Sequence, residues 1–285
     1  MTMNIPTPAV RLGTRSMIAI IATSLVGVVA FGWPLIAAPD STAIAHAGDA
    51  PWIFAIVIPL LLAVVLAQFT DKGMDAKAIA LLGVLAAVVS ALRPLGGGTA
   101  GLEPIWFILV LGGRALGPGF GFALGAVSLF SSALLTGGVG PWLPFQMLGA
   151  AWVGLGAGLL PQVRGKREFG LLAAYGAAAS FAYGLLLNLW FWPFTAGLSE
   201  AIAFTPGAPI AENLMAWLRF TVLTSLGYDI PRAAITVTLI LIAGPAVLTA
   251  LRRVSRKAAF DAAPKFTQSP IPDVAPGDPR AIGIT

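Results

Sequence analysis

The chain has 285 residues, of which 58% are hydrophobic and only 10% are charged, and its mean hydropathy is +0.89. Since a soluble domain has roughly a quarter of its residues charged, this composition excludes an ordinary soluble protein and predicts an all-α integral membrane protein. The chain has no cysteine and one histidine, which excludes disulfides, cysteine nucleophiles and zinc sites built on several imidazoles.

Apolar runs bounded by Gly, Pro or charged residues predict eight membrane spans. In chain order these are 17–38, 52–70, 77–92, 104–116, 119–136, 142–162, 169–192 and 231–251. The first run is longer than the hydrophobic part of a signal peptide and long enough to cross a bilayer, although A-x-A-like sites after it leave cleavage as an alternative.

The C-terminal third combines polar and apolar segments. A Pro-rich loop, 193–212, leads to an amphipathic stretch from Asn213 to Leu226, which we expect to lie along the outer membrane surface. Asp229 and Pro231 predict the cap and first turn of the last span. The tail from Arg252 onward is basic and then rich in Pro, Asp and Gly, which is typical of disorder.

Lysine and arginine positions predict the orientation. If the N-terminus is cytoplasmic, most of the 17 basic residues fall on the inner side and only Arg93, Arg219 and Arg232 fall outside. Because cytoplasmic loops carry the excess of Lys and Arg, we expect a multi-pass protein of the plasma membrane with both termini cytoplasmic.

Catalytic motifs are missing from the sequence. It has no nucleophile elbow, no H-E-x-x-H and no close pair of carboxylates within a span. The pair Gly165-Lys166 lacks the other residues of a P-loop. We therefore expect neither an enzyme nor a protein with a metal or a cofactor, and no ATP binding by this chain.

Two irregular segments fall on the predicted outer side: Arg93 to Glu103, which is glycine-rich and contains Thr99, and Gly137 to Gln146. Irregular backbone at membrane depth is tolerated only where protein or a water-filled cavity satisfies its amide groups. Both segments therefore predict the rim of a pocket. The alternative for Arg93 and Glu103 is a salt bridge that merely closes the loop.

Amides and indoles supply further candidates for this pocket. Because an amide that faces lipid is costly, Gln146 and Asn188 should point into the bundle, where each either binds a ligand or ties helices together, a bond worth about 0.6 kcal/mol. Trp142 and Trp192 either stack on a planar ligand or belong to the interfacial aromatic belt.

Small residues recur every four positions in two of the predicted spans and form one smooth face on each helix. The two sets are Gly83, Ala87 and Ala91, and Gly117, Gly121 and Gly125. Such a face serves either tight packing within the bundle or contact with a separate membrane partner.

Several motifs in a fixed order resemble a known family. They are A-I-A-L-L-G-V-L-A-A-V-V-S-A-L-R-P from Ala78, then G-R-A-L-G-P-G-F-G-F-A-L-G-A-V-S, then S-A-L-L-T-G-G-V-G-P-W-L-P-F-Q-M, and finally T-S-L-G-Y-D-I-P-R-A and L-I-A-G-P-A-V-L-T-A-L-R-R. Over about 78–253 the chain resembles the substrate-binding S component of energy-coupling factor (ECF) vitamin transporters, most closely their actinobacterial branch.

The resemblance implies a six-helix bundle, 77–253, that captures a vitamin or vitamin precursor from outside and works with a membrane coupling protein and two ABC ATPases. It implies that ligand-covering loops lie at 93–103, 137–146 and 193–230. It also implies a coupling surface of small residues on the first helix of the bundle. These residues are Ala80, Gly83, Ala87 and Ala91.

The chain departs from the family in its N-terminal segment, 1–76, with two additional predicted spans, and a cytoplasmic tail follows at 254–285. A cobalamin-type corrinoid is one candidate substrate, while riboflavin, thiamine or another small nutrient stays open. Two alternatives to capture are a ligand-free membrane scaffold and an integral-membrane enzyme that acts on lipid.

Overall fold

The computed structural model describes residues 12–36, 76–96, 101–195 and 197–258, together with the single residues 59, 61, 63, 64 and 74. All regular secondary structure in these residues is helical, which confirms the predicted all-α fold class. Most of the predicted span 52–70, the residue Thr99 and the tail beyond 258 lie outside the described residues. The helices are α1 (Thr14–Ile36), α2 (Ala76–Leu92), α3 (Trp106–Leu116), α4 (Pro118–Thr136), α5 (Leu143–Leu159), α6 (Lys166–Phe191), α7 (Ile210–Thr224), α8 (Leu226–Ile242) and α9 (Gly244–Ala258).

The described helices include four that are long and apolar enough to cross a membrane: α1, α2 with the 3-10 turn that follows it, α4, and α6 with its own 3-10 turn. Helices α7 and α8 together make a fifth candidate, bent by 65° at Ser225, while α3 and α5 are shorter apolar helices. The chain is thus a helical membrane protein. Its eight spans, and a six-helix bundle preceded by two extra helices, remain predictions.

Glycine and proline residues set the ends of the central helices, which lie close to the ends predicted from the sequence. Gly117 has a φ of 111°, which lets the chain turn sharply between α3 and α4. Pro118 then occupies the first position of α4, where its missing N–H costs no helical hydrogen bond. Gly137 has a left-handed φ of 67° and ends α4. These turns place α3, α4 and α5 side by side.

Glycines bring α4 and α5 into backbone contact at the centre of the bundle. A methyl group at Gly121 would collide with the carbonyl oxygen of Gly154, and one at Gly125 would collide with that of Ala150. The small-residue face of α4 therefore serves packing within the bundle, which is the first of the two alternatives.

The small-residue face of α2 has the opposite environment. Leu82, Ala86 and Val89 are buried against the bundle, and no heavy atom of the described residues lies within 4 Å of a methyl group built at Gly83. Four small residues lie on the exposed side of the helix. They are Ala80, Gly83, Ala87 and Ala91.

In the structure the predicted span 231–251 is divided between two successive helices. Helix α8 begins at Leu226 and ends at Ile242, and α9 begins at Gly244. Asp229 pairs with Arg232 inside α8 instead of capping a helix, and Pro231 lies within α8 instead of at its start. The break falls before Pro245, whose missing amide hydrogen is harmless in the first turn of a new helix.

A buried ion cluster joins three helices at the end of the bundle where α3 ends and α6 begins. Arg114 donates from Nε to Oε1 of Glu168 at 2.7 Å, and their side chains are 1% and 3% exposed. Arg114 also donates to the carbonyl oxygen of Leu160, and Arg252 of α9 donates to Oε2 of Glu168 at 3.0 Å. The cluster thereby fastens α9 to α3 and α6.

Candidate ligand-binding cavity

A cavity of about 440 Å³ lies at the opposite end of the bundle. There α2 and α6 end, α3 and α5 begin, and α7 meets α8. Its wall combines polar side chains from these helices with aromatic and aliphatic ones. The polar and aromatic members are Arg93, Glu103, Trp106, Gln146, Tyr183, Asn188, Phe191, Thr195, Phe220, Thr224, Ser225, Tyr228, Asp229 and Arg232.

Arg232 forms the most highly connected part of this wall. Its NH1 donates to Oδ1 of Asp229 at 2.6 Å, and its Nε donates to Oε2 of Glu103 at 3.1 Å. The guanidinium carbon lies 5.8 Å from the ring centroid of Trp106 and 5.3 Å from that of Tyr183, within the range of a cation–π contact. Two carboxylates and two aromatic rings therefore fix this cation.

Glu103 is held in place by the segment that precedes α3. Its Oε2 also accepts a hydrogen bond at 2.7 Å from Nε1 of Trp106. Two residues earlier, Gly101 has a φ of 89° and lies so close to the backbone of Tyr228 that any side chain there would collide with it. The Glu103 segment thus packs directly on the bend between α7 and α8.

Arg93 lies on another side of the cavity and has only neutral partners. Its NH2 donates to Oε1 of Gln146 at 2.7 Å, and its NH1 lies 3.5 Å from Oγ of Ser132. Within the described ranges of the chain, no carboxylate forms an ion pair with Arg93. The alternative of an Arg93–Glu103 salt bridge is therefore not what the structure has, since Glu103 pairs with Arg232.

Two more polar groups line the cavity beside α6. Nδ2 of Asn188 donates to Oγ1 of Thr221 at 3.3 Å, a bond that links α6 to α7. The hydroxyl of Thr195 is buried and has no hydrogen-bond partner in the part of the chain that the structure describes. A buried polar atom without a partner is unusual in a folded protein.

The two predicted tryptophans lie outside the lining of the cavity. Trp142 is 42% exposed and donates to the carbonyl oxygen of Gly138. Trp192 is fully buried, donates to the carbonyl oxygen of Ile202 at 2.7 Å and packs against Phe204 with ring centroids 5.2 Å apart.

The cavity thus brings together four of the predicted residues, Arg93, Glu103, Gln146 and Asn188, while Thr99 lies outside the described residues. Sequence reasoning missed the other polar and aromatic lining residues, and four of these form the wall around Arg232. They are Trp106, Tyr183, Asp229 and Arg232. The available signal was the spacing of Asp229 and Arg232, since residues three apart on a helix face each other.

The wall combines the polar and aromatic groups that recognition of a small molecule requires. It offers two guanidinium groups, two carboxylates, two amides and several hydroxyls beside aromatic surface, the mixture that small-molecule sites use to orient a ligand. In the described part of the chain, no group of three or more His, Cys, Asp or Glu side chains could hold a metal ion.

Comparison of the chain with protein-family models, with curated proteins and with solved structures finds no match.

Proposed function

We propose that the chain is the substrate-capture subunit, the S component, of an ECF-type importer, and that it binds a vitamin or vitamin precursor in the cavity. The observation that carries the proposal is the cavity itself, a hollow lined by converging polar groups at one end of a largely apolar bundle. Ionisable groups at membrane depth are expensive and usually mark a substrate pathway. The motif resemblance over 78–253 adds the family.

The size of the cavity restricts the ligand. A volume of about 440 Å³ lies at the lower end of the range of ~300–1,000 Å³ that is typical of small-molecule sites. It favours a compact vitamin or precursor over a cobalamin-type corrinoid, which is far larger.

The partners in this proposal are a membrane coupling protein and two ABC ATPases, which supply the energy that a chain without a P-loop cannot. The exposed small-residue face of α2 supports contact with the coupling protein, because small residues let a second helix approach closely in a membrane. The cavity faces outward across the plasma membrane, and both termini are cytoplasmic.

A ligand-free scaffold is the second candidate. Its support is that the Arg93–Gln146 and Asn188–Thr221 bonds each join two helices. Such bonds hold a bundle together whether or not a ligand is present.

Native purification tests the choice between the two. The protein is purified in mild detergent from cells grown on a vitamin-containing medium, and the small molecules that it releases on denaturation are identified by mass spectrometry. Capture predicts one nutrient at a near-stoichiometric amount, absent from a mock purification of membranes without the protein. A purified, folded protein that releases no enriched small molecule contradicts capture and favours the scaffold.

A further inference from the structure

We infer that the captured ligand carries a carboxylate group and that Arg93 binds it. This inference rests on the proposed function and specifies the class of substrate for the same cavity. It is carried by the unequal way in which the two arginines of the cavity are neutralised.

Arg93 is a partly buried cation with unused hydrogen-bonding capacity. A guanidinium has five N–H donors, and the described residues use two of them, for Gln146 and Ser132. Both of these partners are neutral, and the next residues of the same segment, 97–100, are Gly-Gly-Thr-Ala and carry no acid. Within the described residues this partly buried cation has no counter-charge, which is costly, and an anionic ligand reduces that cost.

Arg232 does not compete for the same group. It is bound by Asp229 and Glu103, and its faces contact two aromatic rings. Its two carboxylate partners already neutralise its charge, so a further anion gains less at Arg232 than at Arg93. Arg93 is therefore the cation that remains available to the ligand.

The charge of the other wall favours a carboxylate over a phosphate. Arg232, Asp229 and Glu103 together carry one positive and two negative charges. This surplus of negative charge repels an anionic ligand, and it repels a phosphate dianion more strongly than a monoanionic carboxylate. The planar fork of a guanidinium binds two oxygens of either group, so the preference for a carboxylate rests on charge.

The remaining lining residues suit the rest of such a molecule. The amide of Asn188 and the free hydroxyl of Thr195 offer hydrogen bonds, while Leu187, Phe191 and Phe220 provide apolar surface. The ligand is therefore a compact organic acid with a partly apolar body.

The test uses the small molecules that the purified protein releases. First, the released fraction is divided, and one half is methylated so that carboxylic acids become neutral methyl esters. Each half is offered back to ligand-stripped wild-type protein, and binding is measured by mass spectrometry after gel filtration. We expect the untreated compound to rebind and its methyl ester to bind at least tenfold more weakly. This measurement needs no variant.

Second, Arg93→Gln is compared with Arg219→Gln, which removes an exposed arginine of α7 that lies outside the cavity lining. Arg93→Gln should retain at least tenfold less compound than the wild type, while Arg219→Gln retains the wild-type amount. Arg93→Lys keeps the charge and should retain an intermediate amount.

The outcomes separate this inference from the function on which it rests. The inference is overturned, and capture is left intact, if the compound that the wild type enriches has no carboxylate. The same holds if that compound rebinds equally well as its methyl ester, or if Arg93→Gln retains it fully. If the wild type enriches no compound at all, capture fails and the inference fails with it.

Discussion

The guanidinium of Arg93 donates a 2.7 Å hydrogen bond to the side-chain oxygen of Gln146, so the end of α2 is joined to the start of α5 across 53 residues of sequence. This bond fixes the direction of the one cavity arginine that has no carboxylate partner in the described residues. Gln146 therefore acts as a positioning residue for Arg93.

Replacement of Gln146 by alanine should weaken ligand binding about tenfold, because a hydrogen bond to a charged group contributes about 1.5–3 kcal/mol. Retention of the co-purified compound, measured by mass spectrometry, checks this. The matched control is Gln162→Ala, which removes an exposed amide at the far end of the bundle and should change nothing. Equal retention by both variants would show that Gln146 has no part in binding.

The contact of α4 with α5 predicts a sharp difference between two glycines. Gly121→Ala places a methyl group against the carbonyl oxygen of Gly154 and should destabilise the protein by about 1–3 kcal/mol, the usual cost of overpacking. Gly83→Ala meets no neighbouring atom of the described residues and should be neutral or stabilise by up to about 1 kcal/mol. Thermal unfolding in detergent measures both, and a Gly121→Ala protein as stable as the wild type would refute the packing argument.

The buried cluster around Glu168 predicts a large effect on stability. Glu168→Ala leaves Arg114, whose side chain is 1% exposed, without its counter-charge, and removal of one partner of a buried ion pair costs about 3–5 kcal/mol. The unfolding midpoint should fall well below that of Glu212→Ala, a change at an exposed carboxylate in α7. Ligand retention should be unaffected at temperatures where the variant is folded, since the cluster and the cavity lie at opposite ends.

The exposed face of α2 predicts a separation of binding from transport, and this prediction rests on the proposed function. Gly83→Leu should leave ligand retention unchanged and reduce both co-purification of the coupling protein and nutrient uptake at least tenfold. Gly170→Leu is the control, because Gly170 is also exposed, is helical and has no heavy atom within 4 Å of an added methyl group. Normal uptake by Gly83→Leu would assign the coupling surface elsewhere.

The central helices were predictable because residues at their own ends determine where they begin and end. Pro118 and Gly137 mark the start and end of α4, and an uninterrupted apolar run defines α2. The C-terminal break was missed although Gly244 and Pro245 signal it, because the apolar run continues through both residues. Hydropathy alone does not distinguish one continuous helix from two successive helices.

The site was predictable only in part, because some of its contacts join residues that are far apart in the sequence. Polar residues at the ends of apolar runs, such as Arg93 and Gln146, must find partners inside the bundle, and they do. Arg232 and Glu103 are 129 residues apart, and nothing in the linear sequence pairs them. The direction of Trp192 depends on its hydrogen bond to Ile202, which is a tertiary contact that no local pattern encodes.

The central claim, that the cavity encloses a nutrient, is tested most directly by an experimental density map of the natively purified protein in a lipid nanodisc. The account predicts compact density within hydrogen-bonding distance of Arg93 and Asn188 that matches the compound identified by mass spectrometry. A cavity closed by its own side chains, or a ligand bound elsewhere on the protein, would contradict it.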